Sequence, residues 1–308
     1  MDKLDAMHTF VRVAEAGSFI AVANQRQVAR SVVTRQIAAL EKHLGTKLIT
    51  RSTRSLTLTA AGSAYLEKCR VILNMVDAAE STLAEDKAVP RGRIRLGLPL
   101  SYGLQELMPA LLDFAQAQPL VELIMDLSDQ RSNLIEEGLD LSIRITAALE
   151  PGDIVRKLGE CRLLTLAAPD YLHRHGEPRT PEDLRHHEGL LYAGDTSTTW
   201  AFARQGHSLS VPVRGRIIAN NGVALMDAAA RGMGVTRQPD FIAAPYLARG
   251  AVRAILPSWA PPPLGIYAVL PSNRYIPHRV GALIEHLSAH LATRPVRRTP
   301  ARRGRPSP

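Results

Sequence analysis

The sequence predicts a multidomain α/β chain: a small helical head closed by a β-hairpin, one long helix, and a larger half in which strands and helices alternate. Three observations carry that expectation. Positive charge gathers at the two ends of the 308 residues; residues 60–86 contain no proline and a single early glycine; and from residue 93 strand-like and helix-like apolar patterns alternate. The length exceeds what one hydrophobic core usually organises, and a 45% hydrophobic share is ample for globular folding.

The formal charge of +9 is unevenly spread. Residues 1–59 hold nine cations against four acids. The tail from residue 294 carries Arg294, Arg297, Arg298, Arg302, Arg303 and Arg305 with no acid, which leaves the long middle slightly acidic. A polyanion partner is therefore expected at the ends and not in the middle.

In the head, Leu4, Met7, Phe10, Val11 and Ala14 recur at helical spacing, and Gly17 supplies a helix-ending position. Ser18 stands as the N-cap of a second short helix over 19–24. A third helix is expected from about 31 to 43, with Val32, Ile37, Leu40 and Leu44 facing inward. Its start is polar and cationic. A helix in the major groove presents its N-terminal residues to base edges, where Arg pairs with guanine and Gln with adenine, so Arg30, Ser31, Thr34, Arg35 and Gln36 suit base reading. After Gly45, two β-prone runs over 47–59 flank a polar tip, which describes a wing. A cation there reaches the minor groove or a phosphate, and Arg51 and Arg54 are the candidates.

The blocks 14–19 (AEAGSF), 31–41 (SVVTRQIAALE), Leu44-Gly45 and Arg51-Ser52-Thr53-Arg54 resemble the LysR-type transcriptional regulators, in that family's order and spacing. The resemblance extends to about residue 293. It implies a sequence-specific winged helix-turn-helix over 1–59 that binds double-stranded DNA through Arg30, Ser31, Val33, Thr34, Arg35, Gln36, Arg51, Ser52, Thr53 and Arg54. Two departures stand before the reading helix. Arg26 and Gln27 replace the family's usual buried Leu and following Gly, and Ala29 replaces a Ser or Thr cap. Arg26 must then reach solvent or find an acid, and losing the cap costs about 1 kcal/mol. A weakened head, stabilised by Leu at position 26, is the expectation.

Over 60–88, Tyr65, Cys69, Ile72, Val76, Ala79 and Leu83 alternate spacings of four and three. The pattern is that of a coiled-coil seam between two subunits, with a helix packed on its own domain as the lesser alternative. Similarity to the family favours the first, giving a homodimer or homotetramer. Val89-Pro90-Arg91-Gly92 marks a hinge over 89–92.

From 93 to 293, strands are expected at 93–98, 121–127, 139–144, 161–168, 200–202, 208–213 and 266–270, with helices at 104–116, 134–138, 221–231 and 278–291. This arrangement looks like the two-lobed periplasmic-binding-protein fold of the family's regulatory domain, with lobe one at 93–164 and 267–293 and lobe two at 165–266. Ligands in open α/β sheets sit beyond the carboxyl ends of strands, and Ser101 follows the first strand, where it either meets a ligand or merely caps its helix. By family similarity the effector site also draws on Leu100, Tyr102, Ser128, Asp129, Arg144, Thr146, Trp200, Phe202, Asn220 and Asn221. The implied effector is a small organic anion or aromatic compound that alters promoter bending and recruitment of RNA polymerase. A further departure is Thr236-Arg237-Gln238, where the family has apolar residues before Pro239.

Other classes fit poorly. His286 and His290 are four apart on a helix, but a Glu between them and a third metal ligand are missing. GxSxG, GxxxxGK[ST] and GxGxxG are absent, so no enzyme, metal or cofactor is expected. Cys69 and Cys161 are far apart, as in a reducing cytoplasm, and no apolar run approaches the roughly 20 residues of a membrane span. A solute-binding protein or a small-molecule enzyme on the two-lobed fold would need no basic head, and an architectural DNA binder would leave the two-lobed half unexplained. The tail, 294–308, is expected to be disordered and to touch phosphates without sequence preference.

Overall fold

The computed structural model describes residues 2–51, 56–83, 89–130, 134, 137–193, 198–271 and 276–293. The head comprises α1 (Lys3–Ala16), α2 (Phe19–Gln25), α3 (Arg30–Leu44) and an antiparallel pair, β1 (Ile49–Arg51) and β2 (Leu56–Leu58). Local chemistry sets its boundaries. The Asp2 carboxylate accepts the Leu4 and Asp5 N–H groups at the start of α1, and the Ser18 hydroxyl accepts Ala21 N–H at the start of α2. Gly17 and Gly45 end α1 and α3 at φ of 60° and 68°. Ala29 makes no side-chain cap, and Gln27 sits at φ 55°, in left-handed space where a glycine would be unstrained.

Phe10, Val13, Val22, Val33, Ile37, Leu40 and Leu48 fill the head's core. The long helix α4 (Ala60–Leu83) adds Leu66, Cys69 and Leu73 to that same core, and Tyr65 lies 5.8 Å from the Phe10 ring. The expected seam is therefore corrected in its first turns: Cys69 is buried within its own chain's head while Ile72 is exposed. The side chains of Ala79 and Leu83, like residues 84–88, lie outside the described residues. Burial pushes the Cys69 thiol up to about 11 and the Cys161 thiol up to about 12, which suits inert packing groups.

In the larger half, β3 (Gly92–Leu98) leads into a continuous helical stretch, α5 (Leu100–Tyr102), a π-helical turn (Gly103–Leu107) and α6 (Met108–Ala117). Then come β4 (Val121–Leu127), β5 (Leu141–Thr146) and β6 (Ile154–Cys161). The second lobe holds β7 (Leu163–Ala167), α7 (Pro169–His175), a 3-10 turn (Pro181–His186), β8 (Gly189–Tyr192), the hairpin β9 (Thr199–Arg204) and β10 (His207–Pro212), β11 (Ile217–Ala219), α8 (Gly222–Ala230), β12 (Val235–Pro239), α9 (Asp240–Ala248) and β13 (Arg253–Ala254). The chain returns through β14 (Leu264–Leu270) and ends in α10 (His278–Ala292).

Strand order is β4-β3-β5-β14-β6 in lobe one and β11-β8-β12-β7-β13 in lobe two. Both sheets are mixed: β3 runs parallel to β4 and β5 and β8 parallel to β11 and β12, but β14 and β7 pair antiparallel. The chain crosses between lobes at Arg162 and again between Ala254 and Leu264, a few residues from the expected positions. The single strand expected over 161–168 is broken at Arg162, so its two halves belong to different sheets. Of the helix expected over 134–138, Leu134, Glu137 and Gly138 are turn residues. Thr236, Arg237 and Gln238 lie in β12, an interior strand of the lobe-two sheet. Thr236 and Gln238 are buried and bonded to each other at 3.0 Å, while Arg237 points to the other face, 5.4 Å over the Trp200 ring.

Candidate DNA-binding face and interlobe cleft

The reading helix separates its residues sharply. Arg30, Ser31 and Arg35 are exposed and Thr34 is half-buried, so four of the expected contacts share a polar outer surface. No carboxylate pairs with Arg30 or Arg35 among the described residues. Val33 does not join them; it is 0% exposed in the head's core, whereas the neighbouring Val32, assigned inward from the sequence, is exposed. Gln36 is also diverted. Its Nε2 donates to Asp5 Oδ2 at 2.5 Å, and its Oε1 accepts Arg26 Nη1 at 3.1 Å, leaving its amide occupied within the head.

The same network accounts for Arg26. Its guanidinium donates to Asp5 Oδ1 at 2.7 Å and to the Thr9 hydroxyl, so it has found the acid that its position demanded. Of the two outcomes expected for Arg26, reaching solvent or finding an acid, the structure has the second, with Asp5, Thr9 and Gln36 arranged around its cation.

The wing is anchored by Glu41, whose side chain is 8% exposed. Its carboxylate accepts Leu48 N–H at 3.0 Å, Ile49 N–H at 3.1 Å and Lys47 Nζ at 2.7 Å. Burial alone would raise its pKa, but these donors outweigh burial and hold it below the ordinary carboxylate value. Arg51 closes β1; its side chain and Ser52, Thr53 and Arg54 lie outside the described residues.

In the larger half, the carboxyl ends of β3, β4 and β5 share one edge of the lobe-one sheet and present Leu100-Ser101, Ser128-Asp129 and Arg144 to Thr146 there. Asn220 and Asn221 follow β11, and Asn221 meets this edge from lobe two. Asn221 joins the two sides: its Nδ2 donates to Asp129 Oδ2 at 2.6 Å and lies 3.4 Å from Ser101 Oγ. Its Oδ1 meanwhile caps α8 by accepting Val223 and Ala224 N–H. Asp129 Oδ1 accepts Leu100 N–H at 2.9 Å, so the backbone donor that would favour an anion already holds a carboxylate. Tyr102 meets Phe241 of α9 edge-on at 4.9 Å, a second contact across the lobes.

The remaining expected residues lie at or near this edge without joining that contact, or away from it. Arg144 pairs with Asp153 at 3.5 Å, Thr146 Oγ1 donates to Ala148 O at 2.6 Å, Ser128 Oγ accepts Gln130 N–H at 3.1 Å, and Asn220 is exposed. Trp200 and Phe202 are a correction. They alternate on one face of β9 and are 2% and 1% exposed in a lobe-two core with Tyr171, Leu184 and Val213. Phe241 escaped the sequence reading because a lone aromatic within an apolar helix carries no distinguishing pattern. His286 Nε2 lies 3.0 Å from the Ala110 carbonyl, and no group of three or more potential metal ligands exists among the described residues. Among those residues no helix is long and apolar enough to cross a membrane.

A helix-turn-helix head on a two-lobed α/β unit defines a ligand-responsive DNA-binding protein. Two family models match the chain: Bacterial regulatory helix-turn-helix protein, lysR family, over residues 4–63, and LysR substrate binding domain over residues 87–292. The transcriptional regulator PtxR of Pseudomonas aeruginosa is 35% identical over 295 residues, covering 96% of this chain and 95% of the relative. Full-length AphB of Vibrio cholerae, described as a virulence activator, is 27% identical with a TM-score of 0.58, covering 94% of this chain and 99% of that one. A full-length OxyR variant from Pseudomonas aeruginosa covers 99% of both chains with a TM-score of 0.68; at 17% identity it shows the fold alone. The chain belongs to the LysR family of transcriptional regulators, with a DNA-binding head and an effector-binding domain.

Proposed function

We propose that the head reads its operator through Arg30, Ser31, Thr34 and Arg35, with the wing arginines Arg51 and Arg54 adding phosphate or minor-groove contacts. The exposed polar surface of α3, with two arginines that have no carboxylate partner among the described residues, carries this reading. Val33 and Gln36 are excluded from base reading because each is engaged inside the head. The protein acts in the cytoplasm as a homodimer or homotetramer, placing paired heads on a two-fold-related site, and influences RNA polymerase at the promoter. The reading includes no catalytic step.

The effector binds between the lobes, where Ser101, Asp129 and Asn221 converge. Because Asp129 already fills the backbone donor of Leu100, a small organic molecule that brings its own hydrogen-bond donor to Asp129 fits this point better than a bare anion does. Binding there exchanges the Asn221–Asp129 bond for bonds to ligand and resets the lobes.

The test is capture of fragments from the source genome by the full-length protein, followed by footprinting. A discrete footprint that Arg35→Ala weakens at least tenfold, about 1–3 kcal/mol for a lost bidentate base contact, is expected. Failure to protect any fragment, or an unchanged affinity in the variant, would overturn the assignment.

A further inference from the structure

Glu15, in the last turn of α1, is held by arginines from two other elements. Arg70 of α4 lies 3.2 Å from its carboxylate and Arg95 of β3 2.8 Å, and Arg93 of β3 also pairs with it. The Glu15 and Arg70 side chains are 17% and 16% exposed, while Arg95 is 24% and Arg93 41% exposed, so the cluster runs from a half-buried end to the surface. It links head, long helix and lobe one through a single carboxylate.

The cluster opens on a cavity of about 1300 Å³ between the head and lobe one. Arg12, Arg70, Arg91, Arg93, Arg95 and Arg279 line it, against the carboxylates of Glu15, Glu122 and Asp140. Those acids are already committed: Glu122 pairs with Arg93 at 2.8 Å, and Asp140 accepts the Arg95 backbone N–H at 2.9 Å. Arg12 and Arg91 are exposed, with no carboxylate partner among the described residues. Six guanidiniums face three lining carboxylates and a fourth, Glu67, which holds Arg70 at 2.7 Å, so a smaller cationic surplus remains on a concave surface that focuses field and concentrates anions.

We propose that this cavity is a second ligand site, separate from the interlobe cleft, and that it takes a small polyvalent oxyanion, a phosphate ester or a polycarboxylate. Glu15 is its built-in occupant. A ligand with two or more negative charges satisfies Arg93 and Arg95 bidentately and recruits Arg12 and Arg91, which a single carboxylate cannot do at once. In displacing Glu15 the ligand releases α1 from lobe one, so the orientation of the DNA head becomes ligand-dependent without any change at the reading helix.

The test uses the full-length protein with citrate and pyrophosphate as probes, titrated calorimetrically at constant ionic strength. Saturable binding of one probe per chain is expected, weakened at least tenfold by the double variant Arg12→Ala/Arg91→Ala. Glu15→Gln should tighten binding several-fold, because it removes the competitor; a merely structural Glu15 would not. Preference for one probe identifies the phosphate or the carboxylate class. Binding that never saturates, or that neither set of substitutions moves, would overturn the site. Spin labels at Lys42→Cys on α3 and His207→Cys in lobe two then read the release. The probe should shift or broaden their distance distribution, and binding with an unchanged distribution would overturn the coupling.

Discussion

The head and the interlobe cleft treat their polar side chains in opposite ways. On α3, Arg30, Ser31 and Arg35 face solvent, while Asp5, Thr9, Arg26 and Gln36, where the three helices meet, are bonded to one another, Thr9 buried and the rest half-buried. In the cleft, Asn221 bonds to Asp129 across the lobes and lies near Ser101, while Asn221 Oδ1 and Asp129 Oδ1 accept backbone N–H groups of their own lobes. A surface that reads DNA must be presented before the operator arrives, because any reorganisation subtracts from affinity. A surface that senses a ligand needs a state the ligand can break, and a short bond between two lobes is such a state.

The contrast is most easily broken at Arg26. If the internal network of the head is what frees the outer face of α3, Arg26→Leu strands Asp5 and Gln36 and lowers stability by about 1–2 kcal/mol, the pair being only partly screened from water. Thermal unfolding of the full chain should show a lower melting temperature; an unchanged or higher one would mean that the network is idle.

Glu41 gives the next largest effect, through pH. Its folded-state pKa lies below 4.5, so its contribution is complete above pH 4.5 and is lost as pH falls from there through the lowered folded value. Stability of the wild type should therefore decline on that acid limb more steeply than that of Glu41→Gln, measured by urea unfolding at a series of pH values. Parallel curves would contradict the role of Glu41 as the wing's anchor. Smallest and opposite in sign is Gln27→Gly, which relieves left-handed strain at φ 55° and should stabilise by about 0.5–1 kcal/mol. A loss of stability in the same melt would show that the Gln27 side chain contributes more than its backbone costs.

The head was the more legible region because its signals are local. Gly17, Ser18 and Gly45 act on the backbone beside them, and the apolar spacing of α1 marks a helix although its buried face runs through Ala6, Met7, Phe10 and Val13 and leaves Leu4 exposed. Gln36 was misread as outward-facing, and the exchange of Val32 for Val33 comes from adjacent valines on a helix that begins at Arg30, where a single step of 100° decides between core and solvent. The Arg26–Asp5 pair could not be read, since 21 residues separate its members. In the larger half, β6, β8, β11 and β12 passed unnoticed because three to eight residues inside a mixed sheet need not alternate. Trp200 and Phe202 were assigned to the cleft by family similarity. Their spacing of two, opposite Val211 and Leu209 on β10, places them on the hairpin's inner face. Ser101, Asp129 and Asn221 were individually named, but their bonding to one another depends on how two sheets meet.

The link between cleft and head is tested most directly by the shape of bound DNA. Apparent bend angles of circularly permuted operator fragments should be compared for the wild type and Asn221→Ala, which removes the bond to Asp129 and leaves the reading helix untouched. Retained binding with an altered bend angle is the predicted result. Equal affinity with an identical bend angle would contradict control of the DNA heads by the interlobe contact.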